Sequence, residues 1–358
     1  MPVASGTLGL MAAIAAILDG SREPLAAVMP SFTFPATAQA ALWADLTPRL
    51  VDIDPSNWHL DAEHLEQLVH ANRPEVGLVM AVSTFGTPPD AQARIRWEIA
   101  CREAGVPLIV DSAAAFGAIA DDLTPIGSQG DVEVVSFHAT KPFAIGEGGA
   151  VFTRNRELLE RIELAVNFGF ARDRSMSFAM GLNAKMSELH AATALAVLDE
   201  LDSILDARRH AASTIRAQAA DGLTWQSGCE RSTWQFVPVA FADTHQRDAA
   251  VLACAGRVEV RTYYEPLHTM EPFRHIAVTQ DDLTATEDLY RRILCLPMAN
   301  DLTEDEMSAV AGVLAPTVVD SPGYPSPEPQ ATPSDLERDG RAAAPALRQP
   351  SGSPTHRV

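Results

Sequence analysis

Short uninterrupted apolar runs constrain this chain most. They fall at residues 25–29, 50–53, 76–82, 106–110, 132–137 and 150–153, and alternate with helical stretches at 6–18, 60–71, 91–104 and 157–166. A strand with one wet face alternates apolar and polar residues, whereas an unbroken apolar run belongs to a sheet covered on both faces. Strands separated by helices pair in parallel. The chain is therefore read as α/β, with a large, mostly parallel sheet domain over residues 1–204. A single long helix expected at 187–218 leads into a smaller C-terminal α/β domain, 205–315. That domain carries a strand at 234–239 and helices at 285–293 and 303–314. From 316 to 358, Pro, Ser, Gly, Ala and Arg dominate without apolar periodicity. Such a segment cannot bury enough apolar surface to offset its ordering entropy and is expected to be a disordered tail.

The net charge of −20 argues against nucleic-acid binding, because neutralising phosphates needs a basic surface. It leaves room for an anionic small molecule, since helix N-termini make local positive sites on an acidic protein. No apolar run approaches the roughly 18 residues a membrane helix requires, and no charged leader with a cleavage site opens the sequence. Neither membrane attachment nor secretion is expected. Cys101, Cys229, Cys254 and Cys295 are far apart and form no CxxC pair. They read as reduced core thiols of a cytoplasmic protein, with no metal site.

Open α/β sheets bind ligands beyond the carboxyl ends of their strands. Ser5-Gly6-Thr7 opens a helix there; the turn is either a phosphate site or an ordinary N-cap. Asp111 follows a buried strand, and can pair with a pyridinium N–H or cap the next helix. Ser136 and Lys141 follow another strand, ahead of Gly146-Glu147-Gly148-Gly149. Lys141 is either a buried amine with a lowered pKa, as a Schiff base requires, or a solvated surface lysine; the glycines mark a close backbone approach and weigh against the second. Phe34 is placed either to stack on a flat ring or to fill the core.

The order and spacing of these features carry a resemblance. The sequence resembles the DegT/DnrJ/EryC1/StrS family of pyridoxal phosphate (PLP)-dependent sugar aminotransferases. It does so through Ser5-Gly6-Thr7, Thr33-Phe34-Pro35-Ala36-Thr37, Val51-Asp52-Ile53-Asp54, Asp111-Ser112-Ala113, Ser136-Phe137-His138-Ala139-Thr140-Lys141 with its glycine cluster, the run Gly181 to Leu189, and Leu296-Pro297. The resemblance implies the type I PLP-dependent transferase fold, that of aspartate aminotransferase. It implies that Lys141 forms the Schiff base and moves the proton, that Asp111 holds the pyridinium and that Phe34 stacks on the ring. Gly6, Thr7 and Ser136 would bind the phosphate. Asn183 would reach the cofactor phosphate of a neighbouring subunit, which makes a homodimer with shared active sites. Glutamate would donate the amino group and a nucleotide-linked keto-sugar would accept it. Asn167-Phe168-Gly169-Phe170 resembles members acting on 4-keto-6-deoxy sugars. Lysine at 141 argues against the family's dehydratase branch, which has histidine there.

Three departures keep alternatives open. Ala114 stands where the family has Gln or His. Lys185 stands where it has Arg, keeping the charge but losing the planar fork. Members also carry further residues ahead of the Ser-Gly-Thr turn, so an upstream start or an absent element is expected. A degenerate, non-catalytic member acting as a partner or regulatory subunit is the alternative reading. A type I enzyme with another reaction, such as an amino-acid lyase, is a third.

Overall fold

The structure is a computed structural model that describes residues 1–18, 25–71, 75–279 and 282–314. All of these belong to the unit Met1–Thr317; the tail expected at 316–358 lies outside the described residues. In chain order the strands are β1 (Pro2–Val3), β2 (Ala26–Pro30), β3 (Thr47–Val51), β4 (Val76–Val82), β5 (Leu108–Asp111), β6 (Val132–Ser136), β7 (Gly149–Phe152), β8 (Val237–Ala240), β9 (Val278–Thr279) and β10 (Ile293–Leu296). The helices are α1 (Gly6–Leu18), α2 (Pro35–Leu42), α3 (Ala62–Ala71), α4 (Ala91–Ala104), α5 (Arg156–Val166), α6 (Glu188–Leu198), α7 (Leu201–Ala217), α8 (Thr244–Cys254), α9 (Thr284–Arg292) and α10 (Glu304–Ala311). Among the described residues, no helix is long and apolar enough to cross a membrane.

The large sheet runs β1-β7-β6-β5-β4-β2-β3-β9. Pairing is parallel from β6 through β9, while β7 is antiparallel to both its neighbours. Successive residues of one strand serve two cores. Ala27, Met29, Leu78, Met80 and Ile109 join the core under α1, α2 and α5. Val28, Val79, Ala81, Leu108 and Val110 join the core under α3 and α4. This two-sided burial is why the strands read as continuous apolar runs. Helix α1 is wedged in the first core, and its Ala- and Gly-rich surface lets it lie close to the sheet. A separate antiparallel pair, β10-β8, packs on α7 and α10.

The long helix expected at 187–218 is two helices, α6 and α7, parted at Asp199 and Glu200. Acidic residues there favour the start of α7 over the end of α6, because a helix N-terminus carries partial positive charge. Leu201 at the start of α7 packs on the cluster of Phe137, Phe143 and Ile145, as do Ala194 and Val197 of α6; no side chain of α6 is fully buried.

One buried carboxyl joins distant parts of the chain. Asp52, just past β3, accepts bonds from the backbone N–H groups of Ala285 and Thr286, at 2.8 Å each, and from the Thr286 hydroxyl at 2.7 Å. These are donors of the first turn of α9 that the helix itself cannot satisfy. Asp52→Ala strands them in the interior. It is expected to lower the unfolding free energy by about 2–4 kcal/mol, read by urea denaturation.

Candidate active site

The carboxyl ends of β4, β5 and β6, together with the first turn of α1, surround a cavity of about 520 Å³. Gly6, Thr7, Phe34, Asp111, Ser136 and Lys141 all line it. Helix α1 presents its free first-turn N–H groups here, with Ser5 Oγ accepting the Leu8 N–H at 3.2 Å. The helix start meets the sheet too closely for any side chain. A Cβ on Gly6 would lie 2.9 Å from the Ser136 Cβ. One on Gly149 would lie 2.6 Å from the Val135 carbonyl oxygen and 2.9 Å from the Gly6 nitrogen. The glycine cluster after Lys141 thus brings β7 up against the anion-attracting turn.

Asp111 ends β5 with its side chain buried. It accepts the Thr37 hydroxyl at 2.7 Å and the Ala113 N–H at 3.1 Å. Burial pushes its carboxyl above the usual carboxylate range, against the pull of the Thr37 bond and of the Lys141 charge. Lys141 shows the opposite effect: burial holds its amine below the usual lysine range, and Asp111 opposes this. Its Nζ donates to Gln235 Oε1 at 3.3 Å. Acid and amine are therefore each kept where charge is disfavoured. A cationic ring nitrogen would relieve the acid, and a neutral amine is the form that attacks a carbonyl. Of 27 Lys and Arg residues, only Lys141 and Lys185 are lysines. A chain that uses arginine almost everywhere else keeps a primary amine at this point.

The chain matches the model of the DegT/DnrJ/EryC1/StrS aminotransferase family over residues 1–315. The chain belongs to that family. It is 33% identical over 318 residues to protein Rv3402c of Mycobacterium tuberculosis, covering 87% of this chain and 76% of that protein. It is 29% identical over 318 residues to dTDP-4-amino-4,6-dideoxy-D-glucose transaminase of Shigella dysenteriae, covering 87% and 83%. The crystal structure of DesI with its TDP-sugar product superposes with a TM-score of 0.77 at 34% identity, covering 88% of this chain and 79% of that one.

The cavity fits the cofactor of this family, pyridoxal phosphate. The close-packed turn at Gly6 suits a phosphate, the buried Asp111 suits a ring N–H, and Lys141 suits an aldehyde. The aromatic wall is Phe34, which is 57% exposed and lies edge-on to Tyr264 at 6.4 Å. Tyr264 in turn stacks on Phe85 at 4.8 Å. Ala114 offers the cavity only a methyl group, while its carbonyl oxygen accepts the Thr233 hydroxyl at 2.5 Å. Asn183 lies outside the cavity, exposed, and accepts from Lys185 Nζ at 2.8 Å; Lys185 lies over the Phe168 ring. His138 lines the cavity rim and its Nε2 is 3.6 Å from Glu147. His268 is elsewhere, between Ser31 and Glu287.

Sequence reasoning missed Thr37 and Gln235. Thr37 belongs to the same motif as Phe34. Its signal is its place in the first turn of α2, three residues after Phe34, facing inward.

Two outcomes follow from the Asp111 environment. Thr37→Val removes a hydrogen bond to a charged group, worth about 1.5–3 kcal/mol. It should weaken PLP binding at least roughly tenfold, read by spectrophotometric titration. The second concerns the cofactor-free protein. A carboxyl whose folded pKa is raised stabilises the fold below its ordinary value of 3.8 and loses that contribution as pH rises through the raised value. Asp111→Asn should therefore raise the thermal midpoint of the cofactor-free protein at neutral pH. The gain should disappear below the ordinary carboxylate range.

Proposed function

We propose that this protein is a PLP-dependent aminotransferase that moves an amino group from glutamate to a nucleotide-linked keto-sugar of the 4-keto-6-deoxyhexose type. The observation that carries the proposal is the single cavity shared by Lys141, Asp111, Ser136 and the Gly6–Thr7 turn. The sugar acceptor is supported by the transaminase of Shigella dysenteriae, whose name specifies a 4-amino-4,6-dideoxy sugar, and by DesI with its TDP-sugar product. The proposed donor, glutamate, comes from the family resemblance.

Bound PLP would supply an aldehyde for the amine and an electron-withdrawing ring. The residues divide the remaining work. The first turn of α1 and the Ser136 hydroxyl hold the phosphate end with N–H and O–H donors. Asp111 would pair with the ring nitrogen and favour its protonated form. Phe34, on the cavity wall, would stack on the ring. Lys141 Nζ would accept the proton lost by the substrate carbon and pass it on to the cofactor. A lowered amine pKa places proton uptake and release nearer to neutral pH, where both directions proceed.

We further read the protein as a homodimer in which Asn183 completes the partner's site. Helix α6 supports this: it leaves Leu189 at 75% and Leu195 at 68% exposed and has no fully buried side chain. Phe168, Phe170 and Met176, all exposed, add apolar surface around the Asn183 segment. Exposed apolar area on this scale marks an association surface. Residues 1–204 are proposed as the cofactor-binding domain and 205–315 as the smaller one, supported by the separate core around β8 and β10. The four cysteines are free and buried, which supports a cytoplasmic location.

Glutamate added to the PLP-loaded protein should convert the absorbance of the lysine-bound cofactor to that of the pyridoxamine form. A nucleotide 4-keto-6-deoxy sugar should then restore it. Lys141→Arg should abolish both changes. No response to glutamate, with cofactor bound, would count against the donor; no response to any keto-sugar would count against the acceptor. Mixing the inactive variants Lys141→Ala and Asn183→Ala should restore up to about a quarter of wild-type activity, because a two-fold dimer then contains one intact shared site. No recovery would contradict the shared site.

A further inference from the structure

The amine of Lys141 has one hydrogen-bond acceptor among the described residues, and it comes from the far part of the chain. Gln235 is 6% exposed, lines the cavity, and accepts from Lys141 Nζ at 3.3 Å. Its own amide nitrogen has no protein partner among the described residues.

The segment that carries Gln235 is held at each of the three residues before it. Ser232 Oγ donates to the Phe85 carbonyl at 3.3 Å and accepts the Trp234 N–H at 3.0 Å. Thr233 Oγ1 donates to the Ala114 carbonyl. Trp234 adopts a left-handed backbone with φ 57°, a conformation that bulky residues rarely take. Arg208 of α7, itself 6% exposed, donates to the Trp234 carbonyl at 2.7 Å and to Asn300 Oδ1 at 2.6 Å. Among the described residues Arg208 has no carboxylate partner, and burying a guanidinium on a carbonyl and an amide alone is costly. Burial lowers its pKa to about 10. A strained residue and a buried arginine together fix the direction of the side chain that follows.

We propose that Gln235 is a positioning residue for Lys141: its amide oxygen aims the amine into the cavity and holds the amine's proton, while Arg208 and Thr233 fix the segment that carries it. This rests on the reading of Lys141 as the reactive lysine. An amide oxygen suits the task because it stabilises an ammonium without supplying a full opposite charge. A carboxylate there would hold the proton too firmly, and an alkyl group would not hold it. Gln235 also brings a polar group to a cavity where Ala114 presents only a methyl.

The test uses the cofactor-free full chain. Trace acetylation with acetic anhydride across pH, followed by peptide mass spectrometry, reports the titration of Lys141, with exposed Lys185 as internal reference. Gln235→Leu should move the Lys141 midpoint down by about half a pH unit or more. Gln235→Glu should move it up by about one unit. If the glutamate variant fails to fold, the leucine variant decides. Midpoints that coincide with wild type in folded variants, judged by near-ultraviolet circular dichroism, overturn the proposal even if turnover or thermal stability falls. Capture of PLP by the wild-type protein is read separately from visible absorbance. Its failure would defeat the reading of Lys141 as the cofactor lysine without altering the acetylation result.

Discussion

A carboxyl group buried at the end of a central strand is the constraint around which this protein is organised. β5 lies between β4 and β6, so Asp111 emerges where the sheet is covered on both faces. Nothing nearby fully compensates it. Thr37 and Ala113 donate to it, yet burial still disfavours its charged form. Such a group is tolerated when something positive is to be bound beside it. Lys141 is the complement, an amine whose charge is disfavoured in the same enclosure. Under the proposed function, the two would receive a ligand with a basic ring nitrogen beside the acid and a carbonyl within reach of the amine.

The remaining elements bring the third requirement, an anion site, to the same place. That needs the N-terminus of α1 against the ends of β6 and β7, closer than a Cβ allows at Gly6 and Gly149. The Ala- and Gly-rich composition of α1 has the same origin. A helix with bulkier residues would stand away from the sheet and take its N–H groups with it. Packing and chemistry are thus one problem here, and the glycines serve both.

Much of this was legible in the sequence, for identifiable reasons. The six apolar runs fall on β2 to β7 within a few residues, because two-sided burial leaves an unbroken signal. The two-residue strands β1 and β9 leave no such signal, since remote pairing partners alone define them. Residues 293–296 form β10, yet in the sequence they continue the apolar pattern of α9, and periodicity cannot separate a short strand from a helix end. The break at Asp199 and Glu200 was hidden because glutamate is a good helix former and a lone aspartate does not interrupt an apolar periodicity. In the site, Gly6, Phe34, Asp111, Ser136 and Lys141 stand at junctions between elements, where sequence patterns are readable. Thr37 and Gln235 lie 74 and 94 residues from the groups they touch. Only the fold brings those pairs together.

The central claim is that Lys141 binds the cofactor covalently, and its scarcity of competitors makes this directly measurable. Lys141 and Lys185 are the only lysines in the chain. Reduction of the PLP-loaded protein with borohydride, followed by peptide mapping, should place one pyridoxyl group on the peptide containing Lys141 and none on that containing Lys185. A label confined to Lys185 or to the N-terminal amine, with Lys141 unmodified, would contradict the account.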